Sequence, residues 1–179
     1  MNTILIMGLQ GSGKSTQTEM IKAKYGYVSI CAGDLLRQHI ADGTEFGKSY
    51  QAAYERGEFA PSSVTCGIMG QALDECTDDA KIILDGFPRN HEQLHWLEKN
   101  YEIDRCILLE VSKDLAVKRL LGRGRKDDNE KAIQKRFSLY EKETMPVTNY
   151  YGEQGKLYTI SADFDADTIF SNISNIFDT

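Results

Sequence analysis

Residues 8–16 of the chain have the sequence GLQGSGKST, which follows a short apolar run and precedes a helical pattern. The stretch matches the pattern G-x-x-x-x-G-K-[ST] at the junction of a strand and a helix. Glycines allow consecutive backbone N–H groups to turn inward around a phosphate, where side chains would collide with it. A helix that begins near Lys14 adds the positive end of its dipole. The stretch therefore predicts a phosphate-binding loop, or P-loop, and a purely structural glycine turn is the disfavoured alternative.

The side chains of this loop predict the binding of ATP with Mg²⁺. The Lys14 ammonium would reach the β- and γ-phosphates, and the Ser15 hydroxyl would bind the metal ion. Asp85 ends a second apolar run and would hold a metal-bound water beside Ser15, although it could instead cap the following turn. The loop residues expected to bind ATP are Gly11, Ser12, Gly13, Lys14, Ser15 and Thr16. Mg²⁺ is the expected cofactor, with Ser15 and Asp85 as its candidate ligands.

Apolar runs alternate with helical patterns along the rest of the chain. Strands are predicted at 3–7, 27–30, 81–84, 105–111 and 157–161, and helices at 14–24, 34–41, 45–56, 62–75, 91–100, 113–121, 129–144 and 166–176. Continuous apolar strands between helices are typical of a parallel sheet that is covered on both faces. The prediction is a three-layer α/β/α fold of the P-loop NTPase class, whose five-stranded parallel sheet binds ligands at the carboxyl ends of its strands. Residues 31–61 and 122–128 fit the alternation poorly, and both are expected to be mobile elements mounted on the sheet.

The composition favours a compact enzyme that binds small anionic ligands. The apolar share of 41% and the charged share of 27% are typical of soluble globular proteins. A net charge of −6 disfavours a nucleic-acid partner. The cysteines form no C-x-x-C pair, which disfavours a zinc site. No apolar run is long enough to span a bilayer and no basic leader precedes residue 4, so a cytoplasmic location without a membrane partner is expected.

Further motifs resemble those of adenylate kinase and its nucleoside monophosphate (NMP) kinase relatives. They are AGDLLR at 32–37, DGFPR at 85–89, RLLGR at 119–123, RKDDN at 125–129, KR at 135–136 and TMPV at 144–147. With the P-loop, they follow the family order from residue 3 to about residue 170. The resemblance implies one kinase domain over 1–179, with an NMP-binding arm at 31–60 and a very short lid over ATP at 122–128. It also implies a monomer that transfers the γ-phosphoryl group of ATP to an NMP.

The resemblance implies a role for each arginine in these motifs. Arg37 and Arg89 are expected to hold the phosphate of the acceptor nucleotide, and Arg123 is expected to reach ATP from the lid. Arg125 and Arg136 are expected to bridge the transferring group and the acceptor phosphate. Guanidinium groups suit these roles because they donate in pairs to phosphate oxygens, whereas a solvated surface charge is the alternative for any single one. The expected catalytic residues are Lys14, Arg89, Arg123, Arg125 and Arg136.

The resemblance also implies where the two bases bind. Gln93 is expected to hydrogen-bond the base of the acceptor, and the loop near Phe164 is expected to contact the adenine of ATP. The other residues expected at the acceptor site are Ala32, Glu58, Phe59, Ala60, Gly86 and Phe87.

The lid departs from the family pattern. Only Gly124 separates Arg123 from Arg125. The correspondence between these two arginines and the lid arginines of the family therefore stays open by one or two residues. The long lid with zinc-binding cysteines is absent from the sequence, so no structural zinc is expected. A small lid excludes less water, and ATP hydrolysis could therefore accompany transfer.

The acceptor also stays open between related nucleotides. Ala32 and Asn90 resemble UMP/CMP kinases, whereas Gln93 resembles adenylate kinases, and hydrogen bonds to the base decide such selectivity. AMP is the favoured acceptor, which would give two ADP. A UMP/CMP kinase or a broad NMP kinase is the alternative, and a P-loop ATPase or nucleotide-binding protein with little transfer activity is the least favoured reading.

Overall fold

The strands form one twisted sheet at the centre of the molecule in a computed structural model that describes residues 2–124 and 129–178. They are β1 (Asn2–Gly8), β2 (Val28–Cys31), β3 (Lys81–Asp85), β4 (Arg105–Glu110) and β5 (Leu157–Ser161). Their order in the sheet is β2-β3-β1-β4-β5, and all neighbouring pairs are parallel. The five-stranded parallel sheet of the P-loop NTPase fold is therefore confirmed.

Helices cover both faces of this sheet. Within the described residues they are α1 (Lys14–Tyr25), α2 (Ala32–Ala41), α3 (Glu45–Glu55), α4 (Ser62–Asp74), α5 (His91–Asn100), α6 (Lys113–Arg123), α7 (Glu130–Leu139), α8 (Met145–Glu153) and α9 (Ala166–Phe177). None of the helices found in these two ranges has the length and apolar character that crossing a membrane requires.

The prediction of a single helix over 129–144 was wrong. Helix α7 ends at Leu139, a π-helical segment follows over Tyr140–Thr144, and α8 then continues to Glu153. Pro146 indicates a helix end in the sequence, but it lies in the first turn of α8. Proline is tolerated there because the N–H groups of a first turn have no partner within the helix.

The central strands are apolar along their whole length because both of their faces are buried. Ile4 and Ile6 pack with α1 and α9, whereas Leu5 points to the opposite face and packs with α4, α5 and α8. Successive side chains of a strand alternate between faces, so a strand covered on both sides shows no polar alternation. This pattern is why the sequence alone identifies β1, β3 and β4.

The position of β1 between β3 and β4 determines where a ligand can bind. From β1 the chain continues to β2 at one edge of the sheet, whereas from β4 it continues to β5 at the other edge. Where the direction of the connections reverses in this way, a crevice forms at the carboxyl ends of the strands. The P-loop follows β1 and the turn at 86–90 follows β3, so both face this crevice. Helices α2 and α3 pack around a separate small core that contains Leu36, Tyr50 and Ala60, beside the same crevice.

Candidate active site

The loop after β1 has the backbone conformation that a phosphate cradle needs. Gly8, Gly11 and Gly13 have φ angles of 144°, 86° and 94°, which L side chains rarely adopt. A Cβ atom on Gly11 would also lie 2.6 Å from the carbonyl oxygen of Ala116. The loop therefore needs glycine at this position both for its conformation and for its packing against α6.

Lys14 lies across this loop at the start of α1. Its Nζ donates to the carbonyl oxygens of Gly8 at 2.7 Å and Leu9 at 3.0 Å. Burial disfavours the charged ammonium and lowers the pKa of Lys14 to about 8, although the Asp85 carboxylate opposes this shift. An anion beside Lys14 would accept its hydrogen bonds in place of the Gly8 and Leu9 carbonyl oxygens. It would also favour the charged form of the ammonium group.

A cavity of about 440 Å³ opens in front of the loop. Its walls come from the P-loop, α2, α3, the turn after β3, α6, α7 and the π-helical segment. The predicted site residues that line it are Gly11, Gly13, Lys14, Ser15, Thr16, Arg37, Glu58, Phe59, Asp85, Gly86, Phe87, Arg89, Arg123 and Arg136. The structure thus brings most of the predicted residues together from distant parts of the chain.

Ser15 and Asp85 form a pair of oxygen donors at the edge of this cavity. Ser15 Oγ donates to Asp85 Oδ2 at 3.4 Å, and Asp85 is buried. Burial raises the pKa of the Asp85 carboxyl, whereas Lys14 and Arg89 lower it. Within the described ranges no group of three or more His, Cys, Asp or Glu side chains could hold a metal ion. Mg²⁺ needs no such cage, since it binds through one or two protein oxygens, waters and substrate phosphates, and this pair fits it.

Arg89 is fixed at the back of the cavity by its own turn. Its Nε donates to the carbonyl oxygen of Gly86 at 2.7 Å, and its guanidinium carbon lies 5.2 Å from the ring centre of Phe59. Thr144 Oγ1 donates to the Arg89 carbonyl oxygen at 2.8 Å. Burial lowers the pKa of Arg89, and no carboxylate of the described residues lies within 4.0 Å of its guanidinium. A desolvated cation held in this way is suited to binding an anionic ligand.

Further arginines converge on the same space. Arg37 reaches the cavity from α2, Arg136 from α7 and Arg123 from the end of α6. Arg136 is 7% exposed although it carries a charge. This concentration of cations in a protein with a net charge of −6 indicates a local site for polyanions.

The family model for adenylate kinase matches residues 6–156 of the chain. The chain belongs to the adenylate kinase family. It is 37% identical over 178 residues to Adenylate kinase 1 of Synechocystis sp., which covers 97% of this chain and 95% of that protein. It is 39% identical over 178 residues to UMP-CMP kinase 3 of Arabidopsis thaliana, covering 97% and 88%. It is also 37% identical over 181 residues to Adenylate kinase isoenzyme 1 of Gallus gallus, covering 98% and 93%. The resemblance of the sequence motifs to the adenylate kinase family is thus confirmed.

Three predicted residues of this adenylate kinase family member that do not line the main cavity line a smaller pocket beside it. Ala32, Ala60 and Gln93 line this pocket of about 20 Å³ together with Phe59 and Arg89. Gln93 is 2% exposed, and its Oε1 accepts from the backbone N–H of Arg89 at 2.8 Å. The pocket therefore joins the expected base-binding residues to the expected phosphate-binding arginine.

The remaining predicted residues lie elsewhere. Ser12, within the P-loop itself, is fully buried and does not line the cavity. The Phe164 side chain is 53% exposed and lies outside the cavity, but its carbonyl oxygen accepts from Arg119 Nη2 at 3.2 Å. Arg125 lies outside the described residues. The roles of these three residues therefore stay predictions.

Several cavity residues escaped the sequence analysis. Arg119 Nη1 donates to the Gly11 carbonyl oxygen at 3.4 Å, so this side chain joins the P-loop to the loop before α9. Gln17 is 1% exposed, and its Nε2 donates to the Ala166 carbonyl oxygen at 2.9 Å. The RLLGR motif and the helical spacing of Gln17 from Lys14 were the signals that could have indicated them. Tyr50, Tyr54 and Tyr140 also line the cavity, and no motif indicates them.

Proposed function

We propose that this enzyme transfers the γ-phosphoryl group of ATP to AMP and forms two molecules of ADP. As a member of the adenylate kinase family the chain is an NMP kinase, and the proposal adds the acceptor and the roles of the residues. The observation that carries it is the placement of Arg37, Arg89 and Arg136 around the cavity in front of the P-loop. An ATPase needs one phosphate site, whereas a kinase for nucleotides needs two.

The transfer is a direct displacement between two bound nucleotides. An oxygen of the acceptor phosphate attacks the γ-phosphorus of ATP, and the bond from that phosphorus to the β,γ-bridging oxygen breaks as ADP leaves. The attacking oxygen is already anionic, so no side chain has to act as a general base. The protein therefore contributes positioning and the neutralisation of negative charge.

The residues of the chain divide this work between the two nucleotides. The P-loop N–H groups and Lys14 hold the β- and γ-phosphates of ATP, and Lys14 exchanges its backbone acceptors for phosphate oxygens as ATP enters. Arg37 and Arg89 hold the acceptor phosphate. Arg123 neutralises charge on the transferring group, and Arg136 binds the acceptor phosphate and bridges it to that group in the transition state. Ser15, and Asp85 through a water molecule, would hold Mg²⁺, which would supply positive charge that offsets the charge of the ATP phosphates.

Gln93 supports AMP as the acceptor. Its Oε1 accepts from the Arg89 N–H, which fixes the carboxamide and leaves the NH₂ group and the second lone pair of Oε1 for the base edge. A glutamine amide suits adenine, which presents both an acceptor nitrogen and an amino group. Loss of such a buried hydrogen bond can change selectivity by several powers of ten.

CMP or UMP is the second candidate acceptor, on the residues at and beside the same pocket. Ala32 lines the pocket, Asn90 accepts from the backbone N–H of Gln93 at 2.9 Å, and both residues resemble UMP/CMP kinases. One of the similar proteins is named UMP-CMP kinase 3. These two observations keep the alternative open.

The test is a coupled assay of the purified protein with ATP·Mg²⁺ and AMP, CMP, UMP or GMP. The control is Lys14→Ala, which should lose activity with all four acceptors. We expect the highest kcat/KM with AMP, and Gln93→Asn should lower that value more than the value for CMP. A preference for CMP or UMP would replace the acceptor in the proposal. Consumption of ATP that no NMP stimulates would contradict the proposal as a whole.

A further inference from the structure

Tyr54 lies in the last turn of α3 and lines the main cavity between two of its arginines. Phe46, Tyr50 and Tyr54 recur every four residues, so they share one face of α3. The rings of Phe46 and Tyr50 stack at 5.4 Å between centres, and those of Tyr50 and Tyr54 meet edge to face at 6.1 Å. The ring of Tyr54 is therefore supported from the interior of the predicted arm.

Tyr54 contacts both arginines with different parts of its side chain. Arg37 Nη1 donates to the Tyr54 hydroxyl oxygen at 3.3 Å, and the guanidinium carbon of Arg136 lies 5.6 Å from the centre of the Tyr54 ring. The hydroxyl offers an acceptor, and the ring face carries the negative part of the aromatic quadrupole. One uncharged side chain thus holds two cations that belong to different helices.

The contact also joins the predicted arm to the helix that carries Arg136. Asn129 Nδ2 donates at 3.5 Å to the carbonyl oxygen of Glu55, the residue that follows Tyr54. A Cβ atom on Gly57 would lie 2.6 Å from the carbonyl oxygen of Ala132 in α7. The end of α3 therefore lies close against the start of α7, and Tyr54 spans this junction.

We propose that Tyr54 is a positioning residue that orients Arg37 and Arg136 for the phosphate of the acceptor nucleotide. The inference rests on the proposed function, because it assigns those arginines to that phosphate. Two guanidinium groups in one cavity repel each other, although the Asp34 carboxylate pairs with Arg37. Tyr54 contacts both arginines and holds them in place beforehand, so less ordering is needed when the acceptor binds. A leucine in its place would fill the space but would hold neither arginine.

The experiment compares Tyr54→Phe and Tyr54→Leu with the unaltered protein, with the acceptor varied at saturating ATP and ATP varied at saturating acceptor. Tyr54→Phe removes only the hydroxyl acceptor, so the KM of the acceptor should rise about 2- to 10-fold, the range of one hydrogen bond. Tyr54→Leu removes the ring as well, and the KM should rise by a further factor of roughly 3 to 30. The KM of ATP should stay the same in both variants.

Tyr150→Phe is the matched control. The Tyr150 hydroxyl donates to Glu98 Oε2 at 3.3 Å, the same length as the Arg37 bond, and it lies away from the cavity. This variant should keep both KM values. In an Arg37→Ala background, the Tyr54→Phe change should have no further effect on the KM of the acceptor, because its partner is gone.

The outcomes separate the inference from the function on which it rests. Unaltered protein that forms no NDP from any NMP overturns the proposed function, and the inference falls with it. Active protein whose Tyr54→Phe and Tyr54→Leu variants keep the KM of the acceptor overturns the inference alone. An equal rise in the KM of ATP, with a lower unfolding temperature for Tyr54→Leu, would mean that Tyr54 only stabilises the arm, and this result also overturns the inference.

Discussion

Replacement of Arg89 by methionine should stabilise the nucleotide-free protein while it abolishes phosphoryl transfer. The guanidinium of Arg89 is desolvated, which lowers its pKa, and none of the carboxylates that the structure describes pairs with it. A cation in this position lowers the stability of the fold until an anion binds. Methionine has a similar length and can pack on the ring of Phe59.

The size of the effect follows from the contacts of Arg89. The change loses the 2.7 Å hydrogen bond to the Gly86 carbonyl oxygen and the 5.2 Å contact with Phe59, together about 1.5–2.5 kcal/mol. It removes a desolvation cost of several kcal/mol, of which solvent in the open cavity already offsets a part. We expect a net gain of about 1 kcal/mol, which corresponds to a rise in Tm of about 2–4 °C for a chain of this size. Transfer should fall by about 1,000-fold or more, because the acceptor phosphate then loses an arginine that neutralises it and aligns it with the γ-phosphorus.

The assay is thermal unfolding in phosphate-free buffer, followed by the coupled kinase assay on the same preparations. Arg37→Met is the control, because Arg37 pairs with Asp34 and donates to the Tyr54 hydroxyl. Its replacement should lower both Tm and activity. A lower Tm for Arg89→Met, or transfer that survives in this variant, would refute the interpretation of Arg89 as a desolvated cation whose function is to bind the acceptor phosphate.

Other perturbations test the remaining parts of the site. Burial lowers the pKa of Lys14 to about 8 from 10.5, so the uptake of a proton should accompany ATP binding above pH 8. The affinity, measured by calorimetry, should then fall up to about tenfold per pH unit between 8 and 10.5, and a pH-independent affinity would contradict the shift. Gly11→Ala places a Cβ 2.6 Å from the Ala116 carbonyl oxygen at a φ of 86°, so chemical denaturation should show a loss of about 2–3 kcal/mol. Gly26→Ala is its control, because the Cβ meets nothing within 4 Å at a φ of 73°, and the loss should be about 1 kcal/mol; equal losses would show that contact with α6 is unimportant. Asp85→Asn should raise the Mg²⁺ concentration for half-maximal activity about tenfold or more, and an unchanged Mg²⁺ titration would exclude Asp85 from the metal site.

The fold could be predicted because the sequence patterns that indicate it lie in short, continuous stretches of the chain. The run at Ile4, Leu5 and Ile6 is apolar on both faces, and a glycine-rich loop and a helix follow it directly. This order of elements leaves few topologies other than a doubly wound sheet. The region after Leu139 could not be predicted in the same way, because a π-helical segment has no sequence pattern of its own. Pro146 is also compatible both with the end of one helix and with the first turn of another.

The candidate site could be predicted only where its residues belong to short motifs. Lys14, Ser15 and Arg89 are recognisable from their immediate neighbours. Tyr54 is not, because its contacts come from α2 and α7, and its sequence pattern is that of any tyrosine on an amphipathic helix. Gln17 was missed for a similar reason, since its partner is the carbonyl oxygen of Ala166, the first residue of α9.

The most direct test of two-nucleotide transfer follows the terminal phosphate of ATP itself. The protein is incubated with Mg²⁺, AMP and ATP that carries ³²P in its γ-phosphate, and the products are separated after less than one turnover. The account predicts that the label appears as ADP labelled in its β-phosphate, in a one-to-one ratio with the ATP consumed. Label released as inorganic phosphate, at a rate that AMP does not change, would contradict it.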